Sequence, residues 1–469
     1  MIVREEKMNN KKIVLDQVEE PIQDHDDIKV VLTDETIEER KDKLLNKMSQ
    51  HGLDTLVIYC DVEHSGNFEY LTGFFTRFEE GLLFLHKDNK AVIAVGNENL
   101  NKVSKSRIPA RAVHIPHFSL PNQPMETNKS FNELMGSCGI SRGSRVGIVG
   151  WKNFTSKTES NKYLFDVPSY IVNEIQKIVD DSKRVTNETK LLIGEDGVRL
   201  TNNLNEIAYY EYGASLASDT ILDAMNSVDL GISELELGDK LVRQGQHTNV
   251  VTIAATGERY VNGNVFPGNK TIEFGDPVSL TVGYKGGLSS RTGIAVSYAH
   301  ELSSNQSDYL ERVVKPYFNA YVQWLQNVSV GKKGLEIYDL IESVLPKKDY
   351  HWSLCPGHLV ADEEWLSSPI YSGSQEVLKS GMIFQIDIIP SISGYQGTSA
   401  ESTVLLLSEE DQERLSKTYP KLYRKMVNRK QYIKNNLGIE LNNDLLPMGS
   451  TLAYLRPFLL NKKEALKLI

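Results

Sequence analysis

Cysteine is scarce in this chain and badly placed for cross-linking: Cys60, Cys138 and Cys355 are odd in number and far apart. No CxxC pair and no disulfide framework can be built from them, which points to a reducing compartment. Long apolar runs are missing as well. Nothing approaches the roughly eighteen consecutive apolar residues of a membrane span, and the opening MIVREEKMNNKK lacks the apolar core of a secretory signal. A soluble, cytoplasmic protein with no membrane partner is expected. Positive charge is short too: 52 Lys and Arg stand against 62 Asp and Glu, a formal net charge of -10. An acidic chain repels phosphate backbones, so nucleic acid is not expected as a partner. The densest basic stretches, Arg424 to Lys434 and Lys462 with Lys463, read as solvated helix faces. The Gly- and Asn-rich stretch GERYVNGNVFPG (257–268) lacks the strand–GxxxxGK[ST]–helix context of a phosphate cradle, so it reads as a connection lining a cavity mouth.

What is present is ordinary globular composition, 40% hydrophobic and 24% charged, in 469 residues. That length predicts two or three domains, each able to bury a core. Residues 1–35 are charged and aperiodic and read as an N-terminal arm, extended or lying as a strand on a neighbour. Between 36 and 190 strand runs alternate with helical ones. ETIEERKDKLLNKM is amphipathic at helical spacing, LDTLVIYC is a short buried-strand run, and GLLFLHKDNKAVIAVG is a hairpin around a polar turn. RVGIVG and SYIVNEIQKIV add a further strand and helix, which together make an α/β domain. The polar stretch DDSKRVTNETK marks the boundary. From 191 to 430 a long helix over 205–228 precedes the strand runs NVVTIAAT, PVSLTVGY, RTGIAVSY, MIFQIDIIP and STVLLL, with two helices between them, an α+β pattern. Residues 431–469 form a C-terminal extension. Its LAYL and PFLL are too apolar to leave in water, so they pack on the chain itself or on a second subunit.

Three segments of the second half resemble the C-terminal "pita-bread" domain of the creatinase/aminopeptidase P/prolidase family. They are GDPVSLTVGYKGGLSSRTGIAV (275–296), CPGHLVADEEWLSSPIYSG (355–373) and LKSGMIFQIDIIP followed by GTSAESTVLL (378–406). RLTNNLNEI (199–207) is similar to the opening of that domain, and LDTLVIY with FEYLTGF to the family's N-terminal domain. The resemblance implies a creatinase-type α/β domain followed by a pita-bread domain. It also implies a homodimer in which one subunit's N domain covers the other's cavity.

Peptidases of the family hold two divalent metals with two aspartates, a histidine and two glutamates. That chemistry needs hard anionic oxygens clamping two cations. Carried onto this sequence, the aspartate positions fall on Thr281 and Leu288, in a hairpin shorter than the family pattern. His358 keeps the histidine position, Asp387 stands where the first glutamate belongs, and Glu401 retains the second. Asn264 stands at the transition-state histidine, Trp365 or a neighbour at the second histidine, and Ser399 at an arginine that would orient the last carboxylate. No pair of metals is therefore expected. Creatinase, which works on this fold without metal, offers no better match, since its histidine again falls on Asn264 and one glutamate on Ser290.

The expected catalytic group is His358, Asp387 and Glu401, facing a solvent-accessible cavity, with His358 as general base. Asn264, Tyr260, Phe266, Ser290, Arg291, Trp365 and Tyr395 are the expected substrate-binding residues. No cofactor is expected, although the three catalytic candidates could ligate one divalent ion. A Cys355–His358 nucleophile pair is disfavoured by their spacing along a loop. The leading expectation is a metal-independent enzyme acting on a small amide, amidine or peptide-like substrate. Two alternatives stay open: a non-catalytic pseudo-peptidase serving as a binding or scaffold protein, and a residual mononuclear Xaa-Pro-type metallopeptidase.

Overall fold

The computed structural model describes residues 12–26, 28–262 and 265–469. The chain divides into two compact units, one of residues 32–200 and one joining the chain up to Val31 with 201–469. The division thus falls at Leu200–Thr201, beyond the polar stretch that suggested 190. The arm and the C-terminal extension belong to the second unit.

The first described strand, β1 (Ile13–Gln17), belongs to that second unit. The chain then enters the unit of 32–200 through the helix Asp34–Gln50, where the Thr33 hydroxyl accepts from the Thr36 amide at 3.2 Å. Six strands follow: β2 (Thr55–Cys60), β3 (Gly81–His86), β4 (Ala91–Val95), β5 (Arg111–His114), β6 (Val146–Val149) and β7 (Val185–Asn187). They form one sheet in the order β5-β4-β3-β2-β6-β7. The β3–β4 hairpin is antiparallel, while β2 pairs β6 in parallel. Val57, Phe84 and Ile148 on one face meet Ile171 and Ile175 of the helix Ser169–Val179. That explains the apolar periodicity of both segments. The segments singled out by periodicity fall where it places them, but β5, β7 and the helices Gly66–Thr72 and Phe131–Gly136 were not foreseen, and β7 lies within the polar stretch read as a boundary.

The second unit is built on the helix Leu204–Ser227, which opens with a capping box between Asn203 and Glu206. Three strands pair in the order β10-β9-β8: β8 (Ile253–Thr256), β9 (Pro277–Tyr284) and β10 (Gly287–Ile294). The β9–β10 hairpin turns through Lys285 and Gly286. Gly286 has φ +101°, and a Cβ there would stand 2.1 Å from the Tyr210 carbonyl, so glycine is needed for the turn to dock on the long helix. A second sheet has the order β11-β12-β13-β14, from β11 (His358–Leu359), β12 (Met382–Gln385), β13 (Thr403–Leu406) and β14 (Leu445–Pro447).

The two chain ends are spent inside this unit. β1 pairs antiparallel with β15 (Glu464–Leu468), so the neighbour on which the arm lies is its own C-terminus. Leu452, Tyr454, Leu455, Phe458 and Leu459 are all buried, and β14 extends the sheet that carries the candidate site. The apolar tail therefore gives no argument for a second subunit. The basic stretch 424–434 also departs from expectation. It lies on the helix Pro420–Leu437, and Lys425 and Arg429 face inward. Arg429 reaches Asp24 at 2.6 Å and Glu211 at 2.8 Å; Lys425 reaches Glu211 at 3.0 Å and Asp26 at 3.1 Å. Lys462 and Lys463 are exposed, but in the turn before β15 rather than on a helix. No described helix is long and apolar enough to cross a membrane.

Removing one member of a buried ionic group strands its partners, at a cost of about 3–5 kcal/mol. Arg429→Ala should therefore lose that much stability in urea unfolding, because Asp24 loses its cation and Glu211 keeps Lys425 alone. A loss below about 1 kcal/mol would mean that the arm is not held by this cluster.

Candidate active site

The strand pairing of the second sheet creates the site. β12 and β13 pair with Gln385 opposite Thr403, and the Ile386 amide continues the ladder to the Ser402 carbonyl at 3.1 Å. The next opposed positions are Asp387 and Glu401. Two carboxylates are thereby held face to face at the end of a ladder whose strands, MIFQ and TVLL, are wholly buried. β11 lies on the other side of β12 with His358 opposite Gln385. One imidazole nitrogen and one oxygen from each carboxylate converge to within 4.8 Å of one another, all three residues buried.

His358 is completely buried, which corrects the expectation of a solvent-accessible cavity. The reason is a fold-back of the following segment. Leu359 and Ser367 form an antiparallel bridge, with the Leu359 amide donating to the Ser367 carbonyl at 2.7 Å. This return brings Trp365 onto His358, the rings stacked 4.1 Å apart at 20°. It also brings in Glu364, whose Oε1 lies 3.2 Å from His358 Nε2. Asp387 Oδ2 is 4.0 Å from the same nitrogen. His358 Nδ1 is 3.2 Å from the Leu359 carbonyl; a proton on Nδ1 would be donated there, leaving the Nε2 lone pair toward the carboxylates. Nε2 faces the Glu364 carboxylate without a well-directed hydrogen bond to it, and Asp387 Oδ1 is buried with no hydrogen-bond partner.

These charges are costly to bury, and the groups respond by holding protons. Burial pushes Asp387 up to about 6, with His358 pulling the other way and Glu364 adding to the rise. Glu401 is raised well above the ordinary range by burial and then by Asp387 and Glu364. For His358 burial opposes the charged form, but Glu364 and then Asp387 outweigh it and raise its pKa.

The metal-poor half of the family pattern is equally legible. Thr281 and Ser290 are opposed in the β9–β10 register, their hydroxyls 2.8 Å apart. Where the family places aspartates, the hairpin presents a neutral hydroxyl pair and the buried Leu288. The Ser290 amide donates to the Glu401 carbonyl at 3.1 Å, so the pair adjoins the cluster. Arg291, expected to bind substrate, points to the other side of β10. It is buried and donates to the carbonyls of Ser290, Glu401, Tyr454 and Thr451 and to the Ser402 hydroxyl, so it is a packing residue.

Of the remaining candidates, Trp365 lies on His358, whereas Tyr260 and Tyr395 make their hydrogen bonds elsewhere. The Tyr260 hydroxyl accepts from the Gly397 amide at 3.1 Å, and burial pushes the phenol up to about 12. Tyr395 donates to Asp308 at 2.8 Å. Phe266 is 70% exposed, Trp365 39%. Asn264 lies outside the described residues. The loop after β8 is no phosphate cradle: the amides of Thr256 and Gly268 both donate to Glu234, which also holds Arg259. Cys355 makes no dyad with His358, and burial raises its thiol pKa. Glu364 escaped the sequence reading. Its one signal was the acidic run DEE beside Trp365.

Residues 209–408 match the family model described as Metallopeptidase family M24, and residues 40–151 that of the Creatinase/Prolidase N-terminal domain. The chain belongs to the creatinase/aminopeptidase P/prolidase family. No curated protein sequence matches it. Among solved structures it is similar to the Xaa-Pro dipeptidase from Bacillus anthracis, at 19% identity and a TM-score of 0.59, covering 80% of this chain and 96% of that one. It is also similar to the prolidase from Pyrococcus horikoshii OT3, at 18% identity and TM-score 0.60, over 79% and 95% of the two chains. The recombinant prolidase from Thermococcus sibiricus gives 18% identity and TM-score 0.61, over 80% and 95%. Identities this low establish the pita-bread fold of the family and nothing finer.

The raised pKa values have a definite sign in stability. Asp387 and Glu401 hold protons above the ordinary 3.8 and 4.5, and His358 above 6.5, so in each case the folded state binds more protons than the unfolded one. Their contribution is present at low pH and lost as pH rises, from about 4 through 6 for Asp387, above 4.5 for Glu401 and above 6.5 for His358. In chelator, the melting temperature should fall between pH 5.5 and 8. Glu401→Gln, neutral at every pH, should flatten that slope. An unchanged slope in the variant would show that Glu401 does not carry it.

Proposed function

We propose that this chain is a hydrolase-fold protein of the family whose two-metal centre is reduced to a single cation position, His358, Asp387 and Glu401. The substrate class is a small amide or peptide-like molecule. The observation that carries this reading is the convergence of one imidazole nitrogen and two carboxylates within 4.8 Å, with neither His358 Nε2 nor Asp387 Oδ1, both buried, in a well-directed hydrogen bond. Buried polar atoms without partners are rare, and a cation among them would satisfy both. The donor set, one imidazole and two carboxylates, suits a divalent first-row ion. The second cation of the family's pair has no counterpart set, because Thr281 and Ser290 are neutral and bonded to each other.

When bound, such an ion would supply a Lewis acid able to polarise an amide carbonyl. The chain's own groups do the rest. The Leu359 carbonyl fixes the His358 tautomer, and the β12–β13 register sets the two carboxylates opposite each other. Trp365 shields the imidazole from water.

A second reading, metal-free proton transfer, is favoured by one specific contact. Glu364 stands 3.2 Å from His358 Nε2 and raises its pKa, so the cluster can also exist as an imidazolium among carboxylates. In that form His358 would be the proton donor.

Metal stoichiometry separates the two. Chelator-stripped protein titrated with Mn²⁺ or Zn²⁺ and analysed for bound metal should take up one ion per chain, and His358→Ala should take up none. Two ions per chain would refute the loss of the pair, and no ion would leave the metal-free reading. In either case His358→Ala should also lower the melting temperature, because the residue is buried and stacked. Turnover of a proline-containing dipeptide unaffected by His358→Ala would remove His358 from the chemistry.

A further inference from the structure

Glu364 has no place in the ligand set that the family resemblance carries onto this chain. The structure nevertheless puts its carboxylate on the nitrogen that defines the site. Two atoms bound to one ion at about 2.0–2.2 Å stand roughly 3 Å apart when adjacent and roughly 4 Å apart when opposite. Glu364 Oε1 lies 3.2 Å from His358 Nε2, and Asp387 Oδ2 lies 4.0 Å from it. Both spacings to Nε2 suit atoms that share one cation, while the convergence within 4.8 Å takes in His358, Asp387 and Glu401 without Glu364, whose partly exposed side chain has to turn inward to join them. Glu364 also acts on Asp387 and Glu401 electrostatically, so its carboxylate belongs to the same group of charges.

We infer that Glu364 is a relocated ligand, completing His358, Asp387 and Glu401 into a set of one imidazole and three carboxylates for a single divalent ion. This rests on the one-cation reading. A carboxylate lost from the β9–β10 hairpin is replaced from a different element, the return of β11 that forms the Leu359–Ser367 bridge. The same return seats Trp365 on His358, so the ligand and the aromatic cover arrive together. A set this rich in anionic oxygen favours Mn²⁺ over ions that prefer soft ligands. The four ligands also differ in access. The His358, Asp387 and Glu401 side chains are buried, whereas the Glu364 side chain is 24% exposed. Glu364 is thus the ligand on the solvent side, the one that an incoming carbonyl or carboxylate oxygen can displace without breaking the sheet.

The test is Mn²⁺ titration of the chelator-stripped full chain, read by calorimetry and by the electron paramagnetic resonance of free Mn²⁺. Glu364→Gln should weaken binding about 10- to 100-fold, and Glu364→Asp, which withdraws the carboxylate by one methylene, should weaken it too. Glu363→Gln, a neighbouring charge change outside the ligand set, should bind as the unaltered chain does. One ion bound equally well by Glu364→Gln and the unaltered chain overturns the relocated ligand while the one-cation reading stands. No ion bound by the unaltered chain overturns both.

Discussion

The second unit depends on one constraint: the β12–β13 ladder places Asp387 and Glu401, both buried, opposite each other. Two carboxylates in such a position cannot both be ionised unless something positive sits between them. Everything around them answers that demand. Asp387 and Glu401 hold protons to unusually high pH, and His358 is drawn toward its charged form by Glu364. The buried atoms Nε2 of His358 and Oδ1 of Asp387 mark where a cation would be taken up.

The neighbouring hairpin is held together by neutral groups. Thr281 and Ser290 preserve cross-strand pairing and bury their hydroxyls by bonding to each other, and Leu288 adds apolar contact. Gln385 spans the gap to the second sheet, its amide donating to the Leu288 carbonyl at 2.8 Å while its oxygen accepts from Thr403 at 2.7 Å. The contacts here are hydrogen bonds between neutral groups. A neutral, satisfied pair costs far less to bury than two aspartates without their ions.

The chain ends serve the same sheet. β14 adds a strand beyond β13, and the β1–β15 ribbon joins the two termini. The ion pairs of Arg429 and Lys425 with Asp24, Asp26 and Glu211 fasten the arm to the long helix and the helix Pro420–Leu437. Tail and arm therefore complete the unit's own core and edges, whatever the assembly of the whole protein.

Local pattern determined much by itself. The periodicity of residues 34–50, 169–179 and 204–227, the strand runs of 55–60 and 81–95, and the family-like segments around His358, Asp387 and Glu401 were all legible. Each is set by interactions between residues close in the chain or by a motif of fixed spacing. Tertiary structure alone decided the rest. Arg291 was misread because alternation assigns a face to a strand residue only once the sheet is placed. Burial of Lys425 and Arg429 depended on acids some two hundred to four hundred positions away. Glu364 came to the site through a reversal of the chain at residues 361–363, and the bridge that closes it is a contact between backbones, which no side-chain pattern encodes.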